Sequence, residues 1–279
     1  MWETLVTFIS GLGLPVTIAN LVAFAVVERW MPAELEQPLN AYFLNIRITL
    51  LYLIASSYWG GVSAAAVTKA GALVGMGLID LRFASGSNIG LQVAAGLLGV
   101  IIADFFYYWF HRFQHIIPML WAQHKIHHLD EHVNASSASR HHWLEELFRI
   151  PFLAIPLAVL FKLDPMPAGV IGMLFTSWGY FIHANLRFEL GPLTRFFGGP
   201  QVHRIHHSRL DKHFDRNFAA FFPLWDIVFK TYYHPQRGEF PPTGIAGERV
   251  STLRHAALLP IQIWIKNVRT WFRSAQEVL

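Results

Sequence analysis

The sequence predicts an all-α integral membrane protein: transmembrane helices joined to a helical, histidine-rich cap. Three observations lead there. Apolar residues make up 53% of the 279 and charged residues only 14%, where a soluble domain carries about a quarter charged. Apolar stretches near the roughly 20 residues that cross a bilayer recur along the chain. Between and after them lie polar segments in which histidines cluster at helical spacing.

The elements follow in order. Leu5 to Val27 is long enough to span, with Pro15 and Asn20 tolerable where neighbouring helices cover them. Glu3 stands where a signal peptide would be basic, so this reads as a retained segment. Ile48 to Val67 is a second span, with Arg47 placed to snorkel at its end. Ala70 to Ile79 is short and Gly-rich, a re-entrant or interfacial piece. Leu91 to Trp109 is a third span, ending in aromatics from Phe105 to Phe110 that suit a membrane–water interface. Ile150 to Phe161 and Met166 to Ile182, parted by Lys162 to Pro165, form a hairpin that enters and returns. From Leu258, Ile261, Ile263, Trp264, Ile265 and Trp271 mix with Lys266, Arg269 and Arg273, the pattern of an amphipathic helix on a membrane surface.

Charge sets the orientation. With three spans before the histidines, Lys69, Arg82 and Lys162 fall on the opposite side and Arg47 within a span, leaving 18 of the 22 Lys and Arg on the histidine side. That side is then the cytoplasm. The net charge of +4 fits anionic headgroups and gives no reason to expect nucleic acid. The absence of cysteine excludes disulfides, thiolate zinc sites, iron–sulfur clusters and thiol nucleophiles.

Spacing carries the chemistry. His111 and His115 form HxxxH; His124, His127 and His128 form HxxHH; His203, His206 and His207 repeat it. Residues at i, i+3 and i+4 share a helix face, so each cluster can aim its imidazoles at one point. Asp104, Tyr108, His111 and His115 lie on one stripe that continues the third span. A break at Pro118 lets the second cluster fold back toward the first. Neutral imidazole binds zinc, iron, copper and nickel, and eight clustered histidines exceed what one tetrahedral zinc needs, so two metal ions with open positions are expected. His183, at the end of the hairpin, is a ninth candidate ligand, and His142, between Arg140 and Glu145, a further one. His132, His141, His213, His234 and His255 lack convergent spacing and are assigned to loop or surface roles. Asp104, Glu145 and Asp226 are candidates to orient imidazoles by accepting the N–H of the nitrogen that holds no metal. Tyr108 and Asn185 are candidates for the same outer layer.

These residues resemble the membrane fatty acid hydroxylase/sterol desaturase superfamily, over roughly Asp104 to Tyr232. His111-Arg112 with His115, and Leu120-Trp121 before the second cluster, are similar to the family's first two histidine boxes. Asn134 and Arg140-x-His142-x-x-Glu145 resemble the segment that follows. His183-Ala184-Asn185 resembles its short motif after the hairpin. Pro200 with His203, His206 and His207 resembles the third box, and Asn217 and Trp225-Asp226-x-x-Phe229-x-Thr231-Tyr232 its tail. Trp143, Phe218-Ala219 and Lys230 depart from the family pattern; they spare the ligand set and leave the substrate subclass open.

The resemblance implies a cytosolic helical cap over a non-haem di-iron site, with two iron ions, O2 as cosubstrate, and hydroxylation or desaturation of a fatty acyl, sterol or related lipid. It divides the chain into N-terminal transmembrane helices (1-110), a histidine-box catalytic domain (111-255) with its embedded hairpin (150-182), and the interfacial helix (256-279). An alkyl C–H bond has no acidic proton and no leaving group, so a redox metal, not an acid–base side chain, is what could attack it. With no flavin or dinucleotide fingerprint in the chain, electrons are expected from an external donor, a separate electron-transfer protein or a reduced pterin. Arg204, Arg209 and Lys212 are candidates to dock an acidic donor, and lipid headgroups explain them equally well. The rival readings are a membrane zinc-dependent hydrolase, against which no H-E-x-x-H occurs, and a metal transporter or sensor, which would place its ligands inside the spans.

Overall fold

The computed structural model describes residues 2–80, 89–162 and 165–277, and the described residues are mostly helical. Helix α1 (Trp2–Val27) and helix α2 (Leu39–Val74) each expose one stripe of large apolar side chains: Leu14, Ile18, Val22 and Val26 on α1, and Leu50, Ile54, Tyr58 and Val62 on α2. Spacing of four residues is one helix face. Apolar groups exposed in such register suit a hydrocarbon solvent better than water. Helix α2 and the Ala94–Ile116 part of helix α3 (Ile89–Ile116) are long and apolar enough to cross a membrane. In α1, Asn20 is satisfied by the Val16 carbonyl at 2.8 Å and Ser177 Oγ at 3.1 Å.

Helix α2 outruns the expected span at both ends and absorbs Ala70 to Val74, which the sequence separates from it. No proline interrupts Leu39–Val74, and Gly75, at φ 85°, ends the helix in a conformation that only glycine adopts cheaply. The inner face of α2 is polar and grips the cap. Asn45 Nδ2 donates to Asp130 Oδ2 at 2.8 Å and Ser136 Oγ at 3.0 Å, Thr49 Oγ1 to the Ser139 carbonyl at 3.2 Å, and Trp59 Nε1 to the Trp143 carbonyl at 2.9 Å.

Helix α3 carries His111 and His115 at its end. Ile117 then leaves the helical region (φ −90°, ψ 115°) and Pro118 opens helix α4 (Pro118–His128), which packs back on α3. Proline at a first helical position lacks only an N–H that would be unpaired there. Helix α5 (Glu145–Arg149) leads into the expected hairpin, which consists of a π-helical turn (Ile150–Ala154), helix α6 (Ile155–Leu160) and helix α7 (Pro165–His183). Its arms part company: α5 and α6 lean on α2, whereas α7 leans on α1 and α3. A parallel pairing of Ile79–Asp80 with Phe161–Lys162 ties the far ends of α2 and α6. Arg82, Leu163 and Asp164 lie outside the described residues.

Two short helices, α8 (Pro200–His206) and α9 (Leu224–Val228), complete the cap. Helix α10 (Leu253–Glu277) buries Ala256 with Leu44 and Ile48 of α2, Ile126 of α4 and Leu129 just beyond it. Each large apolar side chain so buried contributes about 1.5–3 kcal/mol. Past Trp264, whose Nε1 donates to the Met119 carbonyl at 2.8 Å, Ile265, Val268, Trp271 and Phe272 are exposed.

Candidate metal centre

Nine imidazoles converge, and they divide into two sets: His111, His115, His124, His128 and His206 in one, His127, His183, His203 and His207 in the other, with the donor nitrogens of each set within 4.8 Å of one another. In the first set, Nε2 of His124 lies 3.1 Å from that of His111 and 3.2 Å from that of His128, which is 3.2 Å from that of His115. In the second, Nε2 of His183 lies 3.0 Å from that of His127 and 2.8 Å from that of His203, itself 3.1 Å from that of His207. The sets adjoin, with the rings of His128 and His207 stacked at 4.4 Å.

The expectation that each HxxHH cluster aims at one point is corrected here: each is shared between the sets. The reason is helical phase. Residues four apart differ by roughly 40° around the axis and residues three apart by roughly 60° the other way. His124 and His128 therefore turn to one set and His127 to the other; His203 and His207 pair, and His206 turns away from them.

The hydrogen bonds fix which nitrogen is bare. Nδ1 of His111 faces the Phe218 carbonyl at 2.7 Å, Nδ1 of His183 the Gly179 carbonyl at 2.6 Å, and Nδ1 of His206 the Arg216 carbonyl at 2.8 Å. A carbonyl only accepts, so these Nδ1 atoms carry the proton and each Nε2 presents a lone pair. His206 Nε2 is buried with no hydrogen-bond partner, as are Nδ1 of His124, His127 and His207. Lone pairs converging at such distances repel unless a cation lies between them. Metal–nitrogen bonds of about 2.0–2.1 Å set neighbouring ligand atoms roughly 3 Å apart, the spacing found here, so the donor set fits two metal ions. Burial first, and the neighbouring imidazoles next, hold His124, His127, His128, His203, His206 and His207 well below the ordinary histidine range. The neutral, ligating form is thus the resting form.

The remaining sequence candidates sit outside the two sets. His142 is buried with Nε2 on the Ala257 carbonyl at 3.1 Å. Glu145 accepts from Gln114 Nε2 at 3.0 Å and Arg149 Nε at 3.4 Å. Asn185 is bonded to the Glu34 backbone, accepting from its N–H at 2.9 Å and donating to its carbonyl at 2.8 Å. Tyr108 shares a hydrogen bond of 3.0 Å with Thr231 Oγ1. Asp104 and Asp226 bond backbone N–H groups instead of imidazoles. Asp226 takes those of Phe218 and Ala219 at 2.8 and 2.9 Å. Asp104 takes those of Ala220, Phe221 and Phe222 at 3.1, 3.0 and 2.9 Å.

Some residues carry more than their sequence context suggests. His141, assigned to a loop, stacks on His127 at 5.2 Å with its Nδ1 buried and unpartnered. His213, assigned likewise, is fully buried against Glu239 Oε1 at 3.2 Å. Glu28 is buried at the end of α1 and accepts the N–H groups of Ala135 and Asn185, both at 2.7 Å; a carboxylate directly after an apolar span is the signal that could have found it. Of the proposed docking cations, Arg204 is buried and bonded to Glu34 at 3.0 Å, and Lys212 is paired with Glu239.

Gly198 makes a prediction of its own. Its N–H donates to the Phe221 carbonyl at 2.7 Å, and a Cβ there would lie 2.6 Å from the Ala220 carbonyl oxygen. Gly198→Ala is therefore expected to cost about 1–3 kcal/mol, read as a lower melting temperature than wild type.

Residues 96–231 match the family model described as fatty acid hydroxylase. Alkylglycerol monooxygenase of Danio rerio is 35% identical over 136 residues, 48% of this chain and 30% of that protein. Ornithine lipid hydroxylase OlsE of Rhizobium tropici is 32% identical over 153 residues, 54% of this chain and 46% of that protein. A very-long-chain aldehyde decarbonylase of Oryza sativa subsp. japonica is 26% identical over 161 residues, 52% of this chain and 24% of that protein. The chain thus spans less than half the length of these relatives. No solved structure matches it.

Proposed function

We propose, from the match of residues 96–231 to the fatty acid hydroxylase family model, that this chain is a membrane oxidoreductase that hydroxylates or desaturates a lipid C–H bond at a di-iron centre. The observation that carries the reading is the pair of adjoining all-imidazole donor sets, five and four residues strong, at the end of an apolar helix. The names of two relatives, a lipid hydroxylase and an alkylglycerol monooxygenase, support hydroxylation of a lipid. In this reading the apolar faces of α1, α2 and α3 contact the bilayer, α10 lies at its surface, and the histidine cap faces the cytoplasm.

The two irons would be held by His111, His115, His124, His128 and His206, and by His127, His183, His203 and His207. Bound there, they supply the redox chemistry no side chain has: O2, two electrons and two protons convert C–H to C–OH and water. The chain's own residues do the rest. Carbonyls of Phe218, Gly179 and Arg216 hold the imidazoles in the ligating tautomer. Phe218, buried and edge-on to His111, His115 and His206, keeps water from the first set. Electrons come from outside the chain, from a separate electron-transfer protein or a reduced pterin. With Arg204 and Lys212 already paired, Arg209 is what remains of the proposed docking cations.

Metal analysis of anaerobically purified protein, with oxygen uptake and lipid extracts of cells with and without it, tests the reading. Two irons per chain and an oxygenated or desaturated lipid are expected. One tightly held zinc together with ester hydrolysis would overturn it.

A further inference from the structure

We propose that Asp226 and Asp104 are positioning residues for the five-imidazole set alone, acting through a backbone strap from Asp215 to Phe222. The inference rests on the two-set reading above. The strap has no helix or sheet to satisfy its N–H groups in its last five residues. Those of Phe218 to Phe222 go in unbroken order to two carboxylates, the first two to Asp226 on α9 and the next three to Asp104 on α3. All of them are buried or nearly so. Charge-assisted bonds of this kind are shorter and stronger than neutral ones, and their geometry is correspondingly fixed.

The other side of the strap belongs to the metal ligands. His115 Nδ1 lies 3.2 Å from Asp215 Oδ1, His206 Nδ1 2.8 Å from the Arg216 carbonyl, and His111 Nδ1 2.7 Å from the Phe218 carbonyl. All three imidazoles are members of one set. In the other set, His183 uses a carbonyl of its own helix, and Nδ1 of His127 and His207 has no protein partner. Left-handed backbone at Asp215 (φ 56°) and Asn217 (φ 59°) turns the strap so that its successive acceptors meet the three rings. Such conformations cost energy in non-glycine residues and persist where the surroundings impose them.

One peptide unit shows the coupling most directly. The Ala219 N–H points to Asp226 Oδ2, and the carbonyl of the same peptide, that of Phe218, accepts from His111. The carboxylate charge polarises the amide, the carbonyl oxygen becomes a better acceptor, and the imidazole becomes a more basic ligand. This is the familiar carboxylate–histidine–metal relay with one peptide inserted. At His111 it replaces the direct contact with Asp226 or Asp104 that the sequence leads one to expect, whereas His115 keeps a direct carboxylate partner in Asp215.

The test is a cobalt(II) titration of full-length, metal-free protein in detergent, with ligand-field absorption as the readout. Wild type is expected to bind two equivalents. In Asp226→Asn and, separately, Asp104→Asn, one equivalent should bind about 10–100-fold more weakly, the usual effect of losing an outer partner of a ligating histidine. The other should bind as in wild type, which also reports that the variant is folded. Asp226→Glu should recover part of the lost affinity. Equal weakening of both sites in the two Asn variants, or no weakening of either, overturns the proposal. A wild type that binds fewer than two cobalt ions would instead overturn the two-set reading on which it stands.

Discussion

His128→Ala is expected to abolish turnover and to empty the five-imidazole set. His128 Nε2 stands 3.2 Å from the Nε2 atoms of both His115 and His124, so it links the imidazoles of α3 and α4 within that set. Its ring also stacks on His207 of the second set at 4.4 Å. Removing a ligand should cost more than the roughly 10–100-fold that follows loss of an outer partner, so iron affinity of the first set should fall by more than about 100-fold. Metal binding here is also folding free energy. A ligand present at about 100 times its Kd stabilises the folded state by about 2.7 kcal/mol, and two such sites contribute separately. Iron should therefore raise the melting temperature of wild type in two saturable steps and that of His128→Ala in one. Calorimetry of metal-free and iron-loaded protein separates ligand loss from general damage, because the two metal-free proteins should melt close together. An unchanged two-step response in the variant would remove His128 from the ligand set.

The same residue shows what was legible in the sequence. HxxxH and HxxHH are local patterns, and helical phase alone tells that their imidazoles gather; His111 to His128 and His203 to His207 are indeed assembled. Helical phase also splits each HxxHH cluster, a consequence of local spacing that the one-point expectation overlooked; which imidazoles of α4 and α8 then meet was not legible, because it depends on how the two helices face each other across more than 70 residues of intervening chain. Asp104 and Asp226 were recognisable as candidates to orient the imidazoles. Their partners were not, since the strap they hold has no periodicity to betray it and begins more than 100 residues beyond Asp104. His141 was missed for a similar reason: its approach to His127 is set by the turn after Ser139, not by spacing. For the helices the limit was physical as well. Hydropathy marks the apolar middle of α2, while its first turns are held by Asn45 and Thr49 reaching the cap, polar contacts that no hydropathy profile registers.

Those contacts lead to Arg140, whose replacement should be the most destabilising in the cap. Arg140 is 2% exposed. Its Nε donates to the Ile126 carbonyl at 2.9 Å, one residue before His127, and its Nη1 to Asn45 Oδ1. Asn45 in turn donates to Asp130 Oδ2 at 2.8 Å, which also accepts from Ser137 Oγ at 2.6 Å. Guanidinium, amide and carboxylate thus form a buried chain joining α2, α4 and the turn after it, with opposite charges at its ends. Building such a pair gains little net stability, but removing one end leaves the other buried and uncompensated, at about 3–5 kcal/mol. Arg140→Ala should lose that much, and should loosen α4 where it presents His124 and His127. Asp130→Asn in the same background should return part of the loss, since it removes the stranded charge and keeps an acceptor; that non-additivity is the signature of a coupled pair. Arg140→Lys should fall between, because an ammonium keeps the charge but not the planar fork that reaches both acceptors. Melting temperatures of wild type, Arg140→Ala, Asp130→Asn, the double variant and Arg140→Lys in one detergent decide it: a loss below about 1 kcal/mol for Arg140→Ala, or strict additivity with Asp130→Asn, would show that the buried charges are screened by something other than each other.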